Sequence, residues 1–289
     1  MQLEWVQTGA MRAREKRRVD VLSMFLRGIT SLAALLTAAI VVFLIGYILV
    51  MGVRHLSPEL FSWTYTSDNG SMTPAIINTI VMVAVTLLIS VPLGVGAAIY
   101  MTEYARRGSR LVRVVRMTAE TLQGVPSIVY GLFGMLFFVT ALRWRYSMLA
   151  GACTLAIMVL PLIMRTTEEA LLSVPDSYRE GSFGLGAGRL HTVVSVVLPS
   201  AVPGILSGVI LAIGRIVGET AALMYTAGTV ANAVGSLMES GRTLAVHMYV
   251  LSCEGLHTDK AYATAVVLLL LVLCINTLST ALTRRIKRP

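Results

Sequence analysis

Apolar residues in this chain fall into six long runs, separated by polar stretches rich in arginine, glycine and proline. The runs cover about residues 28–53, 74–100, 118–142, 147–166, 200–225 and 261–282. A hydrocarbon core of about 30 Å needs about 20 helical residues at 1.5 Å each, so every run is long enough to cross. The pattern predicts an all-α, polytopic membrane protein with six transmembrane helices. Val91-Pro92-Leu93-Gly94 and Gly124-Val125-Pro126-Ser127 predict kinks in the second and third spans, since proline removes an intrahelical donor.

Composition supports the same class. Hydrophobic residues make up 56% of the 289 positions and charged residues 13%, about half the charged share of soluble domains. The net charge of +9 does not point to nucleic acid, because the basic residues sit at the ends of apolar runs. Their distribution sets a topology. With the N-terminus inside, the inner segments hold seventeen Lys and Arg, including Arg12, Arg106, Arg110, Arg113, Arg179, Arg189 and Arg284. The outer segments hold five: Arg54, Arg143, Arg145, Arg242 and Lys260. That asymmetry predicts both termini in the cytoplasm. The expected organisation is a cytoplasmic segment 1–27 without the features of a cleaved signal peptide, a membrane domain 28–282 and a basic tail 283–289.

The connection at about 167–199 is long for a link between two helices and falls on the inner side. Glu180 to Ala187 can form a short helix ending in a glycine turn, where Gly184, Gly186 and Gly188 tolerate positive φ. His191 to Leu198 can form a second helix running to Pro199, which suits a helix start. The result is a rigid knob for another protein to hold. On the outer side, 226–260 is long and semi-polar, with Leu244 to Leu251 apolar enough for an interfacial or re-entrant helix.

Two places carry unusual charge. Arg215 and Glu219 lie four apart in the fifth run, which on a continuous helix puts them on one face. An intramembrane arginine is costly and normally faces a cavity or a partner. Its guanidinium binds oxyanions in a planar, bidentate way. Glu219 can offset that charge or accept a hydrogen bond from a protonated oxyanion; a purely structural Arg–Glu pair fits the same pattern. Arg165, with Glu168 and Glu169, marks the inner end of the fourth run, as a second anion contact or gate or as an interfacial pair. Cys153, Cys253 and Cys274 are expected unpaired, and the four histidines show no metal spacing and are expected at surfaces or interfaces. No GxxxxGK[ST] loop is present, so ATP is not expected to bind this chain in the P-loop manner.

The inner connection resembles the "EAA" loop of ATP-binding-cassette importer permeases: Glu180-Gly181-Ser182, then Gly186, Val196 and Leu198-Pro199 stand at that pattern's spacing, with Gly181 and Ser182 replacing two alanines. Longer stretches, among them Gly124-Val125-Pro126-Ser127-Ile128-Val129-Tyr130-Gly131, Arg165-Thr166-Thr167-Glu168-Glu169-Ala170-Leu171 and Gly214-Arg215-Ile216-Val217-Gly218-Glu219-Thr220-Ala221, are similar to PstA-type permeases of phosphate-specific importers. Ala222 departs from the proline common there. The resemblance implies a type I, MetI-like permease in the bacterial inner membrane that does no catalysis itself. It implies a PstC-type permease as partner and a PstS-type phosphate-binding protein outside. Inside, it implies a PstB-type ATPase dimer that carries the ATP and Mg and docks on Glu180, Gly181, Ser182, Gly186, Leu198 and Pro199. Arg215, Glu219, Arg165 and Glu168 become the expected phosphate pathway. Permeases for sulfate, molybdate or phosphonate share the loop, so the cargo stays open, as does a secondary transporter.

Overall fold

The computed structural model describes residues 2–286 apart from 107 and 256, with side chains from 22 to 281 except 254. The expected terminal segments 1–27 and 283–289 therefore lie mostly outside the described side chains. Among the described residues the chain is helical, with no strand.

Two units make up the chain. The first is most of α1 (Gln2–Val53), whose apolar stretch Leu22–Val53 is long enough to cross a bilayer.

The second unit is built on α2 (Thr73–Ile99), α5 (Met148–Leu172) and α8 (Leu198–Gly218). α5 is its central post, with Leu155, Met158, Val159 and Ile163 buried against Met82 of α2 and Ala212 and Ile216 of α8. Small residues let the backbones approach, as is usual where lipid supplies no hydrophobic drive between helices. A Cβ on Gly94 of α2 would stand 2.8 Å from Ile163, and Gly204 and Gly208 of α8 lie against Ala170 and Thr166 of α5. Those last two pairings run in opposite order, so α5 and α8 are antiparallel. α2 stays helical through Pro92 and opens into a wide turn over Tyr100–Tyr104. α11 (Thr258–Ile286) provides a further apolar span.

The third expected span is where sequence and structure part. Instead of one kinked helix over 118–142 there are two, α3 (Arg110–Gln123) and α4 (Ser127–Gly134, continued by a wide turn to Ala141), meeting at 104°. Gly124 ends α3, and Pro126 lacks the N–H that would continue the helix. The Tyr130 hydroxyl donates to Leu122 O at 2.8 Å and pins the corner. α3 carries Arg110, Arg113, Arg116 and Glu120, the composition of a surface helix. Among the described residues five helices are thus long and apolar enough to cross, or six if the bent pair counts as one span.

The fifth span also differs. Helix runs through Arg189–Gly218 and stops there; α9 (Ala221–Thr226) is a separate short helix.

The outer connections are tied down by side chains. The Asn78 amide donates to Asn232 O and Arg242 O and accepts from Val234 N–H, while Thr79 Oγ1 accepts from Leu244 N–H at 2.8 Å. Leu244 opens α10 (Leu244–Glu254), the helix expected within that loop. His247, expected at a surface or interface, is fully buried within the chain. Its Nε2 faces Gly70 O at 3.3 Å, and Tyr65 meets it edge-on and stacks 4.4 Å beneath the Arg242 guanidinium. Burial, then the nearby Arg242 charge, pushes the His247 pKa down to about 3. An unfolded histidine titrates near 6.5, so between these values the unfolded state binds the extra proton. Stability is expected to be flat above about pH 6.5 and to fall as pH drops below it. Thermal melts of the purified protein from pH 8 to 4 check this; His247→Gln should flatten the slope.

Candidate functional site

The inner connection folds as a helix, a glycine turn and a second helix. α6 spans Asp176–Gly184, and Gly186 follows it at φ +84°. Gly186 N–H donates to Phe183 O at 2.9 Å and Ala187 N–H to Ser182 O at 3.1 Å, the paired bonds that close a helix on a left-handed residue. Only Gly186 among the loop's glycines takes positive φ. Gly186→Ala places a Cβ in that conformation at a cost of about 1–2 kcal/mol, and is expected to open the turn to cleavage in limited proteolysis while leaving expression in the membrane unchanged.

Ser182, read from sequence as a small packing residue, has its own role. Its hydroxyl hydrogen-bonds Thr192 Oγ1 at 2.8 Å and joins α6 to α7 (Arg189–Thr192). α7 continues through a wide turn at Val193–Val197 into α8, so Leu198 and Pro199 lie within one continuous helical stretch. Glu180 and Gly181 are exposed. Tyr178, Gly181, Leu185, Gly186 and His191 border a shallow groove of about 640 Å³. Leu185 is 91% exposed at the turn, with Leu190, Tyr178 and Phe183 exposed around it. An apolar patch with a polar rim marks a protein contact.

Sequence reading missed Arg179, which served only as a topology charge. It is the hub beneath α6. Its Nη2 donates to Glu103 Oε1 at 2.7 Å and to Leu171 O at 2.9 Å; its Nη1 donates to Val174 O at 2.8 Å and to Asp176 Oδ1 at 3.2 Å. Both Arg179 and Glu103 are largely buried. One side chain therefore joins α6 to the wide turn after α2 and to the end of α5.

The charges expected to form a pathway are not gathered into one cluster. Arg215 is half-buried on α8 and, among the described residues, makes no hydrogen bond or ion pair. It stands within electrostatic reach of the Tyr130 hydroxyl. Glu219 does not share its helical face, because α8 ends at Gly218 and the backbone turns extended at Glu219 (ψ 129°). Glu219 Oε1 instead accepts from Ala222 N–H at 3.1 Å and caps α9. Arg165 pairs with Glu169 at 3.1 Å on an exposed face of α5, whereas Glu168 is buried and pairs with Arg116 of α3. With Gly208 level with Thr166, Arg215 stands about 10 Å along the bundle from Arg165 at 1.5 Å per residue. The two arginines thus mark two depths. Among the described residues no group of His, Cys, Asp and Glu can hold a metal ion.

Residues 90–288 match the family described as the binding-protein-dependent transport system inner membrane component. The chain belongs to that family. A probable ABC transporter permease of Bacillus subtilis, YqgI, is 36% identical over 267 residues, covering 86% of this chain and 90% of that protein. The phosphate transport system permease protein PstA of Haemophilus influenzae is 34% identical over 233 residues, covering 79% and 82%. Among solved structures, a bacterial ABC transporter that imports alginate aligns with TM-score 0.67 at 17% identity, over 89% of this chain and 96% of that one. A MetNI methionine transporter aligns with TM-score 0.58 at 21% identity, over 84% and 98%. These structures share the fold. This family member is an integral inner-membrane permease subunit, as the sequence pattern leads one to expect, and the family argues against a secondary transporter.

Proposed function

We propose that this permease forms half of the membrane pathway of an ATP-driven importer of inorganic phosphate, with both termini and the α6–α7 knob in the cytoplasm. The observation that carries the cargo assignment is Arg215: a cation inside a span, without a partner among the described residues, in a protein over one third identical to phosphate permeases across most of its length. A dehydrated oxyanion needs such a donor, and a site that must also release its cargo does not bury it under counter-charges. Arg165, with Glu169 beside it, serves a second position nearer the inner mouth. Glu168, held by Arg116, positions α3 against α5 and acts on the anion only indirectly.

A second, PstC-type permease completes the pathway, and a PstS-type binding protein delivers phosphate from outside. A separate PstB-type ATPase dimer, carrying ATP and Mg, grips the knob through Glu180, Gly181, Ser182, Gly186 and Leu185. The test is uptake by the reconstituted complex with competing anions. Phosphate should be carried, with sulfate, molybdate and phosphonate failing to compete at tenfold excess; preferential uptake of one of those overturns the cargo assignment. Protease or thiol-label access to Leu185→Cys from the outer face would overturn the orientation.

A further inference from the structure

A cavity of about 850 Å³ opens beside the knob, walled by α3, the end of α2 and the α6–α7 segment. Five arginines line it, and two are neutralised within the chain: Arg179 by Glu103 and Asp176, and Arg116 by Glu168. Arg106, Arg113 and Arg189 have no carboxylate partner among the described residues; Arg189 rests on the Tyr104 ring at 5.3 Å. They come from three different segments and share the space with a single unpaired carboxylate, Glu120. The first turn of α3 opens on the same space, where Ser109 makes no side-chain cap bond and leaves amide donors available. Unpaired guanidiniums converging on amide donors suit a phosphate group.

The rim adds a second property. Met117 lines the cavity, and Leu111 and Val114 are exposed along α3, so the basic space borders an apolar strip. Basic and apolar faces on one interfacial helix fit the headgroup and upper acyl chains of an anionic lipid. We propose that this cavity is a binding site for a phosphate-bearing anion, separate from the transport pathway, with an anionic phospholipid headgroup or free inorganic phosphate as its two sources. Bound there, the anion ties α3 to Arg189 at the base of the knob and so bears on how the knob moves. The proposal rests on the inward orientation of the knob given above.

The whole transporter in phosphatidylcholine nanodiscs provides the test. One arm adds phosphatidylglycerol and counts retained lipid by native mass spectrometry; the other measures equilibrium binding of labelled inorganic phosphate without anionic lipid. Arg106→Gln with Arg113→Gln is expected to lower binding about tenfold to thirtyfold in whichever arm is positive, at about one factor of five for each lost charge. Both positions are exposed, and the Lys/Lys pair should retain binding within about threefold. The phosphate arm is run in the Arg215→Ala background, so that phosphate held in the pathway is not counted and a failed pathway assignment does not mimic a failed cavity. Retention of phosphatidylglycerol identifies the lipid source, and phosphate binding alone identifies the free ion. Equal binding with and without the Gln/Gln pair in both arms overturns the proposal.

Discussion

Phosphate uptake by the reconstituted complex is expected to fall by about tenfold to a hundredfold when Arg215 becomes alanine. A hydrogen bond to a charged group is worth about 1.5–3 kcal/mol, and each 1.4 kcal/mol is a factor of ten. Arg215 has no competing partner among the described residues, so its loss removes the proposed contact to the ion rather than a structural pair. Assembly and thermal stability should therefore stay within reach of the native values. Arg215→Lys keeps the charge and loses the planar fork, and is expected to recover part of the rate with a weaker apparent affinity. Normal uptake in Arg215→Ala defeats the pathway role. Glu219→Gln makes a useful contrast. The amide oxygen can still cap α9, so uptake should change little; a loss as large as that of Arg215→Ala would return Glu219 to the pathway.

The second large effect lies at Arg179. Arg179→Ala leaves the Glu103 carboxylate buried without its partner and frees the carbonyls of Leu171 and Val174. Breaking a buried pair from one side costs about 3–5 kcal/mol. The expected outcome is a complex in which ATP hydrolysis persists while uptake falls at least tenfold, because α6 is no longer joined to α2 and α5. Stability and transmission can be separated. Replacing both partners with apolar residues, Arg179→Met with Glu103→Leu, removes the buried charges together and should restore much of the melting temperature. Uptake should stay low, since the bonds from α6 to the α5 carbonyls are still missing. Full recovery of uptake in the double variant would reduce Arg179 to a folding role.

Much of this was legible in the chain because bilayer physics writes in long runs. Four spans and the glycine turn at Gly186 follow from apolar length and from the one conformation that glycine takes easily. The misreadings share a cause. The run 118–142 merged the end of a basic surface helix with a membrane helix, since Glu120 is the one charge between Arg116 and Arg143 to mark the break. The pairing of Arg215 with Glu219 assumed helix continuing past Gly218, where a side-chain cap on α9 was the better use of the carboxylate. Arg179 and His247 were misplaced because what holds them is remote: Glu103 is 76 residues from Arg179, and Gly70 is 177 from His247. Periodicity reports a residue's own helix and is silent about partners at that distance.

The three hydrogen bonds of Asn78 set how the outer face receives a visitor. They fix the backbone at Asn232, Val234 and Arg242 to the top of a membrane helix, so this part of a long loop is already ordered before anything lands on it. The binding protein proposed above would then meet a finished surface and lose little conformational entropy in forming the encounter. Brief, repeated visits become practical, which is what a carrier needs if it is to deliver one ion and leave.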